Sequence, residues 1–87
     1  MSVRIDPPED SDDTRFDGKQ IFAHGISSPP VYDIRDKYIY NLNSSRPLYE
    51  IRGDCIFKAN SAAKPVYEIR GVDVHKYMRA MPVYEIR

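Results

Sequence analysis

A six-residue phrase of the form Pro-Val-Tyr-Glu-Ile-Arg occurs four times, and this repetition limits the fold more than any other feature of the chain. The copies lie at residues 30–35, 47–52, 65–70 and 82–87 and differ only at their second and fourth positions. Their prolines are 17, 18 and 17 residues apart. Such a fixed period indicates one structural unit used several times. The period predicts an architecture, but it names no ligand or reaction.

Each copy has the composition of a β-strand, with β-branched and aromatic residues and a proline at the first position, where a strand tolerates it. An apolar run and a loop of four to six residues precede each copy, so each unit is predicted to be a β-hairpin. The runs are Ile21-Phe22, Ile39-Tyr40, Cys55-Ile56-Phe57 and Val74-His75. Units join through Asp36-Lys37, Gly53-Asp54 and Gly71-Val72, which leave room for a two-residue turn.

The predicted fold is therefore all-β, an antiparallel meander of four repeated hairpins around a pseudo-fourfold axis, either closed on itself or dimerising. The last copy, 82–87, is an apolar strand that needs a partner. We expect that partner to be the strand near Lys19, the segment at Phe16, or the same edge of another chain.

Alternation of side chains in a strand sorts the phrase into two faces. Tyr and Ile are predicted to face the core. Val, the acid and Arg are predicted to face outward, where acid and Arg would form a ladder of ion pairs. The strand formed by the apolar run is predicted to be apolar on both faces. Phe22, Tyr40 and Phe57 each follow an isoleucine directly, so they point to the other face of the strand. This also favours a closed body or an oligomer.

The domain organisation is predicted as an acidic, largely flexible leader at 1–16 and a four-repeat β domain at 17–87, with units at 18–35, 36–52, 53–70 and 71–87. Val3 and Ile5 could add a short edge strand. The net charge is zero, but residues 1–17 hold six acids and two bases, whereas 18–87 hold eleven bases and seven acids. The leader could be simply solvated, or it could cover a basic surface of the body.

Residues 18–87 resemble the small bacterial proteins described as a four-fold β-flower. The resemblance rests on the 17- to 18-residue period and on the repeated phrase followed by Ile56-Phe57 and its equivalents. It implies that fold and a bacterial origin. That family has no established activity, so it assigns no functional residue here.

Few residues suggest chemistry. Asp73 and His75 could share a metal, but His75 occupies the position of Phe22, Tyr40 and Phe57 and is more simply a substituted core aromatic. Cys55 is interpreted as a small buried apolar residue. Four near-identical copies do not form the asymmetric constellation of an active site. No catalytic residue, cofactor or metal is predicted, and the protein is predicted not to be an enzyme.

The predicted function is a non-enzymatic interaction module that binds a protein partner or a second copy of itself. The alternative is a multivalent binder of carbohydrate or single-stranded nucleic acid. It would use the repeated side chains Tyr32, Tyr49, Tyr67, Tyr84, Arg35, Arg52, Arg70 and Arg87. Nucleic acid is the less expected ligand, because its binders usually show a basic excess.

A cytoplasmic location is predicted, with no membrane association. One cysteine cannot form an intrachain disulfide, and the N-terminus lacks the apolar core of a signal peptide. No run approaches the roughly 18 apolar residues of a membrane-spanning helix.

Overall fold

Eight short strands pair in sequence order to form a closed barrel in the computed structural model, which describes residues 13–61 and 63–87. The strands are β1 Gln20–Ala23, β2 Tyr32–Arg35, β3 Tyr38–Asn41, β4 Pro47–Arg52, β5 Cys55–Lys58, β6 Tyr67–Arg70, β7 Asp73–Lys76 and β8 Pro82–Ile86. Most of the predicted leader, including the edge strand at Val3 and Ile5, lies outside the described residues.

The barrel closes within one chain, because β8 pairs antiparallel with β1 and places Ile86 opposite Ile21. Every other pairing is also antiparallel and joins consecutive strands. The predicted all-β meander of hairpins is confirmed, and the partner of the last strand is the first strand of the same chain. Within the described residues, no helix has the length and apolar character needed to cross a membrane.

Two-residue turns join β2 to β3, β4 to β5 and β6 to β7, as predicted. The first residue of each turn has a positive φ: 61° at Asp36, 62° at Gly53 and 66° at Gly71. A positive φ at this position alone is typical of a type II′ hairpin turn, for which glycine is the favoured residue. These turns gather at one end of the barrel, called here the turn end.

The four longer loops gather at the opposite end, called here the loop end, and their lengths alternate. Residues 24–31 and 59–66 form loops of eight residues, whereas 42–46 and 77–81 form loops of five. The predicted range of four to six residues is therefore wrong for the first and third loops. The copy of the phrase at these two loops begins its strand at the tyrosine and leaves its proline in the loop.

The barrel interior is filled by one layer of aliphatic side chains, each 3% exposed or less. They are Ile21, Ile34, Ile39, Ile51, Ile56, Ile69, Val74 and Ile86. An eight-stranded barrel is just wide enough for side chains to fill. The predicted core face is thus confirmed. The tyrosines of the phrase pack against this layer on the side of the loop end.

The outer wall repeats one arrangement of acid, aromatic ring and arginine. Glu50 lies opposite Phe57 in the β4–β5 register, and the Arg52 guanidinium lies 4.6 Å above the Phe57 ring and 3.1 Å from the Glu50 carboxylate. The acid and arginine of each of the other copies also approach within 3.4–3.9 Å. The predicted ladder of ion pairs is confirmed, and each pair lies within one copy of the phrase. Arginine also covers the second apolar face, because Arg35 and Arg87 lie over Tyr40 and Phe22.

The segment just before β1 closes the turn end. Phe16 is only 7% exposed and belongs to the core cluster. The Asp17 carboxylate accepts a hydrogen bond from the Asp36 backbone N–H at 2.6 Å, and the Asp13 carboxylate accepts one from the Gly53 N–H at 2.7 Å. The Arg15 guanidinium donates to the Gly53 carbonyl at 3.1 Å. This segment thus fastens to two of the turns and inserts one aromatic ring between them and the aliphatic layer.

Candidate binding site at the loop end

The four tyrosines of the phrase form a closed ring across the loop end. Tyr32 contacts Tyr49 and Tyr84, and Tyr67 contacts the same two residues. Ring centroids are 5.8–6.0 Å apart and the interplanar angles are 73–90°, so every contact is edge to face. Such contacts are the favoured geometry for aromatic pairs. The ring closes the barrel above the aliphatic layer while part of each tyrosine still faces solvent.

Burial and crowding of the phenol groups alter their acidity. Burial, together with the neighbouring phenols of Tyr84 and Tyr49, raises the pKa of Tyr32 to about 12. The same causes raise the pKa of Tyr67. These phenols therefore stay protonated at neutral pH, and each keeps one hydrogen-bond donor.

Positive charge surrounds this ring. In the strand registers Lys58 is the partner of Tyr49 and Lys76 is the partner of Tyr67, and directly paired residues point to the same side of a sheet. Arg46, Lys64 and Arg79 lie in the loops. None of these five cations forms an ion pair with another described residue. The described loops contain no Asp or Glu, so the loop end is a cationic surface with no counter-charge of its own.

Exposed apolar side chains accompany the cations. Ile26 is 62% exposed, Met78 79% and Met81 76%. Met81 also borders an open groove of about 410 Å³, together with Lys76, Arg79, Ala80 and Val83. This mixture of free cations and flexible apolar side chains is suited to a surface that contacts another molecule.

The structure separates the two sets of binding residues proposed from sequence. Tyr32, Tyr49, Tyr67 and Tyr84 point into the loop end, whereas Arg35, Arg52, Arg70 and Arg87 lie on the outer wall beside their own acids. The tyrosine faces already receive the edges of neighbouring rings. A base or sugar that stacked on a contacted face would displace that contact.

The cations at the loop end were not among the residues singled out from sequence. Lys58 and Lys76 each follow an apolar run by one or two residues, and the loops hold bases without acids. A comparison of the charges of the loops with those of the strands within each repeat shows this excess of bases in the loops. Counting charge over long stretches of the chain concealed it.

The outer wall of the fourth unit differs from the others. His75 lies opposite Glu68, as Phe57 lies opposite Glu50, so its interpretation as a substituted aromatic agrees with the register. It is 5% exposed, and its Nδ1 has no hydrogen-bond partner. The His24 Nε2 lies 3.9 Å from the Asp73 carboxylate. Among the described residues, no group of three or more His, Cys, Asp or Glu is placed to hold a metal ion.

Cys55 is half-buried and not fully buried as expected. Burial and the nearby carboxylates of Glu68 and Asp54 raise the pKa of its thiol. Because the thiolate is the reactive form, this environment disfavours a nucleophilic role.

Comparison of the chain with protein-family models, with curated proteins and with solved structures finds no match.

Proposed function

We propose that this protein is a non-enzymatic binding module whose loop end holds a protein partner through an acidic surface. The observation that supports this most is the charge at that end, where five cations form no ion pair with any residue that the structure describes and the described loops hold no acid. Opposite charge on a partner speeds its approach and orients it.

A protein suits this surface better than a nucleic acid does. The exposed apolar side chains of the loops are chiefly Ile26, Met78 and Met81, which pack against apolar side chains of a partner. Binding of single strands relies instead on aromatic faces free to stack on bases. The four core tyrosines are instead engaged edge to face with one another.

The broader setting of this proposal comes from the sequence. The resemblance of residues 18–87 to the bacterial β-flower proteins and the single cysteine favour a bacterial, cytoplasmic protein. We therefore seek the partner among cytoplasmic proteins with an acidic surface, and a second copy of this chain is one of the candidates.

A charge-reversal pair tests the proposal. Tagged wild-type protein, Arg79→Glu and Lys19→Glu are used to capture partners from native cytoplasm, and captured proteins are identified by mass spectrometry. Both side chains are exposed, but Lys19 lies beside the turn end. We expect a stoichiometric acidic protein with the wild type and Lys19→Glu, and its loss with Arg79→Glu. A partner retained equally by all three proteins would contradict the loop end as the binding surface.

A further inference from the structure

We infer that the tyrosine ring, with Lys58 and Lys76 beside it, is an oxyanion site that receives a carboxylate or a phosphoryl group at the loop end of the barrel. The inference rests on the proposed function, because it names the chemical group of an acidic partner that enters the barrel mouth.

The geometry gathers the four tyrosine side chains of the phrase at the mouth of the barrel. Because each tyrosine touches two others around a closed ring, the four side chains surround a single centre. The phenol of Tyr32 is near enough to those of Tyr49 and Tyr84 to interact with both. A phenol can donate or accept one hydrogen bond as its O–H rotates. With the site empty the phenols can satisfy one another, and with an oxyanion present they can turn their hydrogens toward it.

The charge around the ring determines which kind of ligand it favours. The four phenol oxygens could also accept hydrogen bonds from a cationic ligand. Positive charge lies beside them, however, because Lys58 and Lys76 are the strand partners of two of the four tyrosines. The equivalent strand partners of Tyr32 and Tyr84 are Asn41 and Ala23, and the partner of each tyrosine on its other side is Ile or Val, so none of these residues carries a charge. No acid lies in the described loops to neutralise the lysines. The site therefore repels a cation and attracts an anion.

The ionisation of the tyrosines agrees with this choice. Burial and neighbouring phenols raise the pKa of both Tyr32 and Tyr67. Neutral phenols remain donors across the physiological pH range, and hydrogen bonds to a charged acceptor are stronger than those between neutral groups. Two ammonium groups and several phenols together provide the donors that a carboxylate or phosphoryl group requires.

Titration with small oxyanions, followed by NMR, tests the inference. Tyrosine ring signals of the full chain are recorded at pH 7 and constant ionic strength while chloride is replaced by acetate in one series and by methyl phosphate in another. We expect saturable shifts of the four core tyrosines in at least one series. Acetate as the better ligand would indicate an acidic side chain or C-terminus as the natural group, and methyl phosphate would indicate a phosphorylated one.

Two double variants distinguish a defined oxyanion site at the tyrosine ring from a general electrostatic attraction to the loop end. Lys58→Gln with Lys76→Gln removes the ammonium groups beside the ring, and we expect about tenfold weaker binding. Lys64→Gln with Arg79→Gln removes the same charge from the loops, and we expect a change of less than about threefold because neither residue is a strand partner of a ring tyrosine and salt screens charges at a distance. Tyr49→Phe, which keeps the aromatic ring and removes one donor, should also weaken binding.

Several results would overturn the inference: shifts that rise linearly without saturation, shifts confined to loop residues, or equal weakening in the two double variants. The proposed function fails separately. If Arg79→Glu abolishes partner capture while neither oxyanion binds, the binding module stands and the oxyanion site is wrong. If oxyanions bind but no acidic protein is captured, the site stands and the protein partner is wrong.

Discussion

The two ends of the barrel are closed in different ways. The loop end is closed by Tyr32, Tyr49, Tyr67 and Tyr84, one from each copy of the phrase. The turn end is closed by Phe16, which lies before the first copy and has no equivalent in the others. A repeat that closes on itself leaves an opening at each end, and here only one opening is filled from within the repeat.

The loop end and the turn end also differ in their charged residues. The nine acids among the described residues all lie on the wall or at the turn end, together with seven bases. The remaining five bases lie at the loop end. The turn end thus carries charges of both signs and is fastened by hydrogen bonds, as expected of a structural element. The loop end carries bases that form no ion pair with any residue of the described part of the chain, as expected of a surface that meets another molecule.

The largest effect is expected from removing residues 83–87, which breaks the closure that both ends depend on. Without most of β8, the edges of β1 and β7 both lose their partner and the aliphatic layer is opened to water. We expect the whole domain to unfold, as judged by circular dichroism and by loss of amide exchange protection. A truncated protein that stays folded in its first three units would show that the units are independent.

The next largest effects are losses of stability when a residue that closes either end of the barrel is replaced by alanine. Phe16→Ala should lower the free energy of unfolding by about 3 kcal/mol, because a buried ring is removed and nothing replaces it. Tyr49→Ala should cost less, about 2 kcal/mol, because Tyr49 is partly exposed and three rings remain. Urea denaturation measures both, with Phe16→Leu and Tyr49→Phe as controls that keep much of the side chain. A larger loss from Tyr49→Ala would reverse the ranking of the two ends.

The fold was accessible from the sequence because its determinants are local and repeated. Period, strand composition and the two-residue turns together specify a meander, and alternation places Ile34 and its equivalents inside. The alternation of loop lengths is also encoded in the sequence. Counted along the chain, the core aliphatic residue and the following core tyrosine are separated by 11, 10, 11 and 10 residues. The shorter spacings coincide with irregular registers between β3 and β4 and between β7 and β8.

The candidate site was harder to predict because its residues come together only when the barrel closes. Lys58 and Lys76 are 18 residues apart in sequence. Nothing local shows that they flank adjacent members of one tyrosine ring. Phe16 illustrates the same limit at the other end, since a residue outside the repeat gives no periodic signal that it fills the repeat's own opening.

Alkali should weaken the loop end selectively. The pKa of Tyr32 in the folded protein is about 12, above the value of about 10 for an unfolded tyrosine. The folded state therefore retains protons that the unfolded state releases, and stability falls as the pH rises from about 10 toward 12. Ultraviolet absorbance should show delayed tyrosinate formation, and the Tyr32→Phe variant should lose stability less steeply in this range. An identical pH dependence in that variant would contradict the proposed environment of the ring.

A smaller effect is expected where the segment before β1 is fastened to a turn. Asp17→Ala removes the acceptor of the hydrogen bond from the Asp36 N–H and should cost about 1 kcal/mol. Asp17→Asn keeps an acceptor oxygen and should recover most of this loss. Amide exchange at Asp36 should accelerate in the alanine variant while the loop end is unchanged. Faster exchange at both ends would mean that the two closures are coupled.

The smallest effect is expected at low pH, where the ion pairs of the wall and the turn end should stabilise the protein less. Burial would raise the pKa of Glu50, but Arg52 and Lys37 outweigh it and hold that pKa below its usual value. A lowered pKa in the folded state means that Glu50 stabilises the protein above the unfolded pKa of about 4.3 and that this contribution is lost as the pH falls further. Glu50→Gln should therefore cost about 0.5 kcal/mol at pH 7, discounted for the partial exposure of both cations, and almost nothing at pH 3. Glu85→Gln is the matched control, because Glu85 has the arginine partner and, among the described residues, no lysine. Equal losses in the two variants would show that the Lys37 contact adds nothing to the stability of the wall. A Glu50→Gln loss that persists at pH 3 in urea denaturation would show that the loss does not come from the charge of Glu50.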